Sequence, residues 1–373
     1  MSASYFEIGK PISDDRFFGR TKELAQLEFF ISNAQSIVVI APRRYGKTSL
    51  IKKYLCSVED KLIIEIDLMR FVGRRELADA IIDRCYENIG YKQAINQMKT
   101  GMLGFSKKLA SMVKIDLGIL ELDGFERFFH SDGVNDDEYL LYAFEFVEKF
   151  AISTGKKAVV FIDEFAELPK LSNEHVLAQL RSIIQHQQNT TYIFAGSQPT
   201  LMNKIFLDKS EPFFKFATVL SLGAIEKSSF VEYSQMLFAK ERIECDDGEI
   251  SDIYEFCGGV AYYLSLFMMF LLMGKPTKVD EEIVKDTSTK VIEVCAFGFE
   301  NEIMSLKRRK YFLEILLSIA RGNNPYSLKS TQRQNINTII KNLELEGMVM
   351  KLNGEFVLTD KVFGVYLLDA IEA

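Results

Sequence analysis

The residues best suited to chemistry are the tripeptide Gly-Lys-Thr at 46–48 and the adjacent acids Asp163 and Glu164. Gly-Lys-Thr completes the phosphate-binding pattern G-x-x-x-x-G-K-[ST], in which backbone N–H groups and a lysine surround phosphate oxygens. The pattern begins with glycine, whereas this chain has alanine in the stretch APRRYGKT at 41–48. Each feature alone has an ordinary alternative, a helix start for the tripeptide and a solvated loop for the acids. The surrounding elements therefore decide whether these residues form a nucleotide site.

A phosphate-binding loop at 41–48 would give each residue type a task. Gly46 lets the backbone approach the phosphates, Lys47 neutralises the β- and γ-phosphate oxygens, and the Thr48 hydroxyl is a magnesium ligand. Ala41 is tolerated if its backbone is extended, because the first glycine mainly supplies conformational freedom. The predicted nucleotide-binding residues of this stretch are Pro42, Arg43, Arg44, Tyr45, Gly46, Lys47, Thr48 and Ser49.

The acidic pair follows an apolar run, where a second magnesium ligand is expected. We expect Asp163 to hold magnesium through a water molecule, and Glu164 to orient or deprotonate the attacking water. Glu164 and Lys47 are thus the predicted catalytic residues, with ATP or ADP and Mg²⁺ as cofactors. A glutamate beside the magnesium aspartate suits hydrolysis of ATP by water. A GTPase would carry Asn-Lys-x-Asp, and the nearest string, at 203–206, lacks the aspartate.

A further polar position lies in the stretch FAGSQPT at 194–200, which ends the next predicted strand. If that strand lies between the two motif strands, Ser197 or Gln198 would lie near the γ-phosphate as a polar sensor. A simple turn containing serine and proline explains the same residues equally well.

The elements that must position these residues are short, apolar, β-rich runs that alternate with helical patterns. The runs lie at 36–41, 62–68, 158–165, 190–197 and 217–222, and helical patterns lie at 75–89 and 138–150. Most runs are continuously apolar, as strands covered on both faces are. The alternation predicts an α/β fold with a P-loop NTPase parallel sheet and helices on both faces, over residues 1–225.

The rest of the chain departs from this alternation. The segment 91–133 interrupts the predicted core and is interpreted as an insertion. From 226 to 300 the pattern is helical, and a different unit follows at 301–373.

The C-terminal unit begins with two predicted helices, over 308–320 and 330–348, and the second ends at Gly347 as helices often do. Two predicted strands follow, joined by Asn353-Gly354, a strong signal for a hairpin. Helices followed by a two-stranded ribbon predict a winged helix.

Composition narrows the class of protein. The 373 residues carry a net charge of −7 and are 48% hydrophobic, and a chain of this length predicts more than one domain. Five scattered cysteines without a Cys-x-x-Cys pair argue against a zinc site. The N-terminus has no apolar signal sequence, and the most apolar run, 260–273, is too short to span a membrane. We therefore expect a cytoplasmic protein without a membrane partner.

The motifs together resemble the archaeal-type ATPases of the STAND class, relatives of the AAA+ and Orc/Cdc6 proteins. The stretches that carry the resemblance are FFGRTKELAQL (17–27), APRRYGKTSLI (41–51), VVFIDEF (159–165), FAGSQPTLM (194–202), SEPFFKFATVLSLGAI (210–225), CGGVAYYLSLF (257–267) and VLTDKVFGVYLL (357–368). The resemblance covers nearly the whole chain apart from 91–133.

The resemblance implies roles that the residues alone do not. It implies that Phe18, Gly19 and Arg20 lie beside the adenine and that 226–300 is a helical lid. It also implies that the C-terminal winged helix docks on the ATPase core or binds DNA.

Two motifs depart from the family. Its aromatic-Gly-Arg is here FKF at 214–216, and its Gly-Gly-x-Pro is here GGVA at 258–261. The first departure puts an arginine's role in doubt, and the second weakens the expected contact between the lid and the nucleotide.

Between 305 and 351 the chain carries nine basic and three acidic residues. Phosphate contacts from such residues, with Gln332, Arg333, Gln334 and Asn335 at a helix start, suit a recognition helix, while an intramolecular or protein-contact role is the alternative. Two hypotheses follow: a switch that hydrolyses ATP slowly, or a DNA-binding regulator in which nucleotide is mainly structural. The predicted partners are ATP, DNA through the winged helix, and a protein partner or a second copy of the chain.

Overall fold

The computed structural model describes residues 17–88, 135–329 and 332–372. The predicted insertion at 91–133 lies outside the described residues, and so do the first two residues of the helix predicted over 330–348.

A five-stranded sheet with the strand order β2-β3-β4-β1-β5 forms the centre of the first half of the chain. Its strands are β1 (Ile37–Ile40), β2 (Leu62–Asp67), β3 (Ala158–Asp163), β4 (Thr190–Gly196) and β5 (Thr218–Ser221). All four pairings are parallel. The inner strands are buried almost throughout, as strands covered on both faces should be. The predicted parallel α/β core is confirmed.

Strand β4 lies between β1 and β3, the arrangement on which the expectation for Ser197 and Gln198 depends. Because neighbouring strands are about 5 Å apart, the ends of β1 and β3 are separated by about 10 Å. The loop after β1 and the acids after β3 therefore reach the same edge of the sheet, with the end of β4 between them.

Helices cover both faces of the sheet, and successive residues of each strand point to opposite faces. Ile37 and Val39 of β1 pack on one face, and Val38 and Ile40 pack on the other. The first face carries α1 (Thr21–Ser32) and α2 (Lys47–Cys56). The second carries α3 (Arg74–Glu87), α4 (Asp136–Thr154), the short α5 (Leu168–Leu171), α6 (Glu174–Gln185) and α7 (Pro199–Leu207).

The second half of the chain is helical and shares its core with the first face of the sheet. Its helices are α8 (Lys227–Glu241), α9 (Asp247–Cys257), α10 (Ala261–Met273), α11 (Glu281–Lys307), α12 (Phe312–Ala320), α13 (Arg333–Leu345) and α14 (Lys361–Glu372). The helical half, the helices α1 and α2 and the first face of the sheet therefore belong to one continuous hydrophobic core.

One predicted helix starts in the wrong place. The helix predicted over 308–320 begins only at Phe312, because residues 308–311 form the turn after α11. Tyr311 has φ +68°, a left-handed conformation that ends one helix and redirects the chain into the next. Between α12 and α13 a single 3₁₀ turn, Pro325–Ser327, is present, as expected for a segment too short for a full helix.

The predicted hairpin is confirmed. Strands β6 (Val349–Leu352) and β7 (Glu355–Leu358) pair antiparallel. Asn353 and Gly354 both have positive φ, +50° and +92°, as a two-residue type I′ turn requires. Gly347, at φ +73°, follows α13 and ends it in the left-handed conformation typical of a helix C-terminus.

The apolar run at 260–273 forms α10, which is 13 residues long. In the described part of the chain, every helix is too short or too polar to pass through a bilayer.

The second face of the sheet contains a cluster of phenylalanine rings, and Phe194 is one of its members. This ring is fully buried and lies 4.6 Å from the ring of Phe165 and 5.3 Å from that of Phe206, between centroids. We expect Phe194→Ala to lower the free energy of unfolding by about 3–5 kcal/mol, since it leaves a cavity that the sheet cannot close. Chemical denaturation measures this loss. Phe29→Ala, at a ring that is 64% exposed, is the control, and an equal loss in the two variants would contradict the assignment of this core.

Candidate functional site

The loop between β1 and α2 has the backbone form of an anion-binding nest, in which successive N–H groups turn towards one point. Arg44 and Gly46 have left-handed φ values of +72° and +86°. Gly46 is also the N-cap of α2, so the positive end of that helix faces the same point. Ala41 is buried and is not among the residues with positive φ, so alanine at the pattern's first position carries no left-handed strain.

The predicted magnesium ligands are adjacent. The hydroxyl of Thr48 donates to Asp163 Oδ2 at 2.8 Å. Lys47, which is 7% exposed, places its Nζ 3.5 Å from Asp163 Oδ1 and 3.4 Å from Glu164 Oε1. The two residues of α2 and the two acids that end β3 thus form one charged cluster at the carboxyl edge of the sheet.

Glu164 is held from two sides. Its backbone is left-handed, with φ +51°, and its Oε2 accepts from both the N–H of Ser197, at 3.0 Å, and the hydroxyl of Ser197, at 2.9 Å. Its Oε1 faces Lys47. Ser197 follows β4 directly, so the polar position predicted from the sequence meets the predicted base.

The donor set fits a magnesium ion. A hydroxyl and a carboxylate, from Thr48 and Asp163, are hard oxygen ligands, and Mg²⁺ at phosphate sites uses one or two protein ligands together with phosphates and water. Among the described residues there is no cluster of three or more acidic, histidine or cysteine ligands that would hold a metal by protein groups alone.

Two of the three residues that the resemblance assigns to the adenine, Phe18 and Arg20, line a cleft beside the loop. It is lined by Phe17, Phe18, Arg20, Tyr45, Gly46, Ser49, Ile225, Ala261 and Ser265. The ring of Phe18 stacks on Tyr233 of α8, with centroids 4.2 Å apart. Gly19 lies against Ile225, in the loop before α8. Its φ is +70°, and a Cβ at this position would come within 2.6 Å of the Ile225 side chain. Only glycine fits this position.

Arg20 connects three parts of the site. It is 4% exposed, and its guanidinium donates to the carbonyl of Gly223 at 2.6 Å and to the carbonyl of Tyr45 at 3.2 Å. It also pairs with Glu23 of α1 at 2.9 Å. The buried arginine thereby joins the phosphate loop to the segment that leads into the helical half.

The other predicted loop residues point elsewhere. Pro42 is half-buried and Arg43 is exposed. The side chain of Arg44 reaches Asp360, at the start of α14, and the hydroxyl of Tyr45 donates to the carbonyl of Thr359 at 3.1 Å. Burial raises the pKa of Tyr45 to about 12, so this hydroxyl remains a donor at neutral pH.

Sequence reasoning gave no role to three residues of the second half that contact the loop: Tyr263, Thr359 and Asp360. The available signals were the motifs CGGVAYYLSLF at 257–267, which contains Tyr263, and VLTDKVFGVYLL at 357–368, which contains Thr359 and Asp360. Both contributed to the resemblance but could not be placed in space. Ile225, Ala261 and Ser265 were missed in the same way as lining residues of the cleft.

In a comparison with protein families, the profile of an ATPase domain predominantly from Archaea matches residues 17–267. Comparison with curated proteins gives no match.

Solved structures share the fold over nearly the whole chain. A Walker-type ATPase of Pyrococcus abyssi is 19% identical, with 98% of this chain and 100% of that chain covered and a TM-score of 0.72. The ORC2 protein of Aeropyrum pernix in its ADP form is 12% identical, with 99% and 97% covered and a TM-score of 0.55. The same protein in its ADPNP–ADP complexes gives a TM-score of 0.50, at 12% identity and with 99% and 98% covered.

The geometry of Arg20 predicts a structural cost for its loss. We expect Arg20→Met to lower the free energy of unfolding by about 2–3 kcal/mol, because it leaves the buried carbonyl of Tyr45 and the more open carbonyl of Gly223 without their donor. Thermal or chemical denaturation measures the change. Lys22→Met, which removes an exposed ion pair with Glu226, is the matched control and should have little effect. If the two variants have the same free energy of unfolding, the hydrogen bonds of Arg20 do not stabilise the fold as proposed.

Proposed function

Because the chain belongs to the family of ATPase domains that come predominantly from Archaea, we propose that it binds ATP at the loop 41–48 and hydrolyses it to ADP and phosphate with Mg²⁺. The observation that supports this best is the cluster of Lys47, Thr48, Asp163 and Glu164, joined by contacts of 2.8–3.5 Å. This is the set of groups that phosphoryl transfer to water requires.

In the proposed reaction each side chain has one role. Lys47 leaves its ion pairs with Asp163 and Glu164 to neutralise phosphate oxygens, and the loop N–H groups hold the same oxygens. Thr48 and Asp163 would hold the magnesium ion, whose positive charge would stabilise the negative charge that develops on the phosphate oxygens. Glu164 orients the attacking water and accepts its proton. Ser197 fixes the Glu164 carboxylate and so sets where that proton acceptor lies.

The proposed base site is the cleft lined by Phe18, Arg20 and Ser265. Its walls are largely apolar and aromatic, which suits a flat purine ring. Ser49, on the first turn of α2, lines the cleft where the sugar and phosphates would follow the base.

We further propose that the protein is a nucleotide-dependent switch of the STAND class. In this proposal residues 1–225 are the ATPase core, 226–300 the helical lid and 301–373 a winged-helix domain. ATP closes the lid on the core and repositions the C-terminal domain, and slow hydrolysis resets the protein. The support is structural: Arg20 joins the phosphate loop to Gly223, close to the beginning of the proposed lid.

Two substitutions separate binding from hydrolysis. We expect Lys47→Ala to lose measurable ATP and ADP binding in calorimetry. Glu164→Gln should bind ATP but release phosphate at least about 100-fold more slowly, since glutamine keeps the shape and cannot take the proton.

Each variant has a control nearby in the sequence. Lys52→Ala removes a half-buried lysine of α2 that pairs with Glu65, and Glu167→Gln changes a half-buried glutamate that pairs with Lys170. Both controls should bind and hydrolyse ATP normally. Unchanged phosphate release in Glu164→Gln would remove that residue as the base, and unchanged binding in Lys47→Ala would remove the site.

A second candidate function, DNA binding by the C-terminal unit, is favoured by the exposed face of α13. Between 332 and 341 the exposed residues carry Arg, Lys, Gln, Asn and Thr side chains and no carboxylate. These residue types contact base edges and phosphates in the major groove. Arg309, by contrast, is paired with Glu346 and is unsuited to a phosphate contact.

DNA binding predicts a salt dependence that depends on this face. We expect the double variant Arg333→Ala, Lys341→Ala to weaken binding of duplex DNA about tenfold and to reduce the slope of log affinity against log salt by about one to two. Titration at several salt concentrations measures both. The double variant Lys278→Ala, Lys285→Ala removes two exposed lysines from the proposed lid (226–300) and is the charge-matched control. If the wild-type protein has no salt-dependent affinity for DNA, this candidate is wrong.

A further inference from the structure

The side chain of Arg44 extends from the phosphate loop to three elements of the C-terminal half, and 38% of it remains exposed. Its Nη1 donates to Asp360 Oδ2 at 2.7 Å and also contacts the hydroxyl of Tyr263, which donates to the same carboxylate oxygen. The guanidinium lies 5.3, 5.4 and 5.9 Å from the ring centroids of Tyr262, Tyr263 and Phe299, distances at which cations interact with aromatic rings. The N–H of Tyr262 donates to the Arg44 carbonyl at 3.1 Å.

The backbone of Arg44 explains why this anchoring matters. Its φ of +72° is left-handed, a conformation that is unfavourable for any residue with a Cβ and free for glycine. The nest needs this conformation, because the left-handed turns at Arg44 and Gly46 together direct the N–H groups between them to one point. Gly46 adopts it without strain, whereas Arg44 needs surrounding contacts to hold it there.

Asp360 is well placed to supply that restraint, because both of its carboxylate oxygens are engaged. Oδ1 accepts from the N–H of Phe363 at 2.9 Å and caps the first turn of α14, while Oδ2 accepts from Arg44. The carboxylate is therefore fixed to the C-terminal helix on one side and to the phosphate loop on the other. Burial lowers the pKa of Arg44, but Tyr263, Asp360, Cys295 and Tyr262 together oppose this effect, so the pKa is raised above its ordinary value.

A second link runs in parallel. The neighbouring loop residue, Tyr45, is buried and donates its hydroxyl to the carbonyl of Thr359. Thr359 in turn donates its own hydroxyl to the carbonyl of Gly347, which follows α13. Two successive loop residues are thus connected to the segment that carries Asp360.

We propose that Asp360 is a positioning residue for the phosphate loop: it holds Arg44 in the left-handed backbone conformation that directs the loop N–H groups towards a bound phosphate. The proposal rests on the proposed nucleotide site. By linkage, nucleotide binding and docking of α14 stabilise each other, because the docked helix and the bound phosphate favour the same form of the loop.

A double-mutant cycle tests this idea with the full chain and ADP, so that hydrolysis does not interfere. If the restraint acts on the backbone of residue 44, Arg44→Gly should bind ADP at least about threefold more tightly than Arg44→Ala, since glycine is unstrained at positive φ. Asp360→Asn, which retains an oxygen for the helix cap, should weaken ADP binding about fivefold. In the Arg44→Gly background the same substitution should change the affinity less than twofold.

Two outcomes of the cycle overturn the proposal. Equal affinities of Arg44→Ala and Arg44→Gly would mean that left-handed strain at residue 44 is not what the contacts offset. An equal effect of Asp360→Asn in both backgrounds would mean that Asp360 acts through another group. Asp280→Asn, at the N-cap of α11, is the control for loss of a capping charge and should leave ADP affinity unchanged.

A second measurement keeps the test independent of nucleotide. The amide of Tyr262 is bonded to the Arg44 carbonyl, so its hydrogen exchange in the protein without added nucleotide reports whether the loop is held. Asp360→Asn should accelerate this exchange several-fold relative to wild type and Asp280→Asn should not. Unchanged exchange overturns the proposal. If wild type binds no ADP, the proposed function fails, and this exchange experiment still decides whether Asp360 restrains the loop.

Discussion

Parallel pairing of β1, β4 and β3 is the constraint on which the candidate site depends. In a parallel sheet all strands end at the same edge. Strand pairing therefore brings the loop after β1, the acid that ends β3 and the serine after β4 together at that edge. The contact of 2.8 Å between Thr48 and Asp163 follows from this arrangement, since one residue opens α2 and the other ends β3. A rigid backbone, rather than a surface loop, sets the distances among the charged groups.

The conformation of the phosphate loop depends on contacts from distant parts of the chain. Gly46 takes its left-handed turn freely, but Arg44 does so among contacts from α10, α11 and the start of α14. Arg20 adds a third connection, from the N-terminal segment to Gly223. The hydrophobic core runs without interruption from the first face of the sheet into the helical half. The conformation of the loop therefore depends on how the two halves pack together.

Departures from the family's glycine positions have different physical consequences. Ala41 stands where a phosphate loop begins with glycine, and its backbone is not left-handed, so the replacement has no strain to offset. Lys215 stands where the resemblance expects glycine and keeps a left-handed φ of +52°, with its N–H bonded to the Phe206 carbonyl at 2.9 Å. The next residue, Phe216 in place of arginine, packs its ring 6.0 Å from that of Phe194. A left-handed turn is present at this position, and a partly buried phenylalanine stands where the resemblance expects an arginine.

The sequence by itself determined the strands, their alternation with helices, the acid pair and the hairpin at Asn353-Gly354, because these depend on local periodicity and on turn chemistry. It misplaced the start of α12 by four residues, since a left-handed tyrosine after a long helix has no sequence signature. Only the tertiary structure decided that Asp360 meets Arg44, because the two lie 316 positions apart and no periodic pattern encodes that contact. Local propensities specify the elements, whereas the closure of the core around them specifies which distant side chains complete the site.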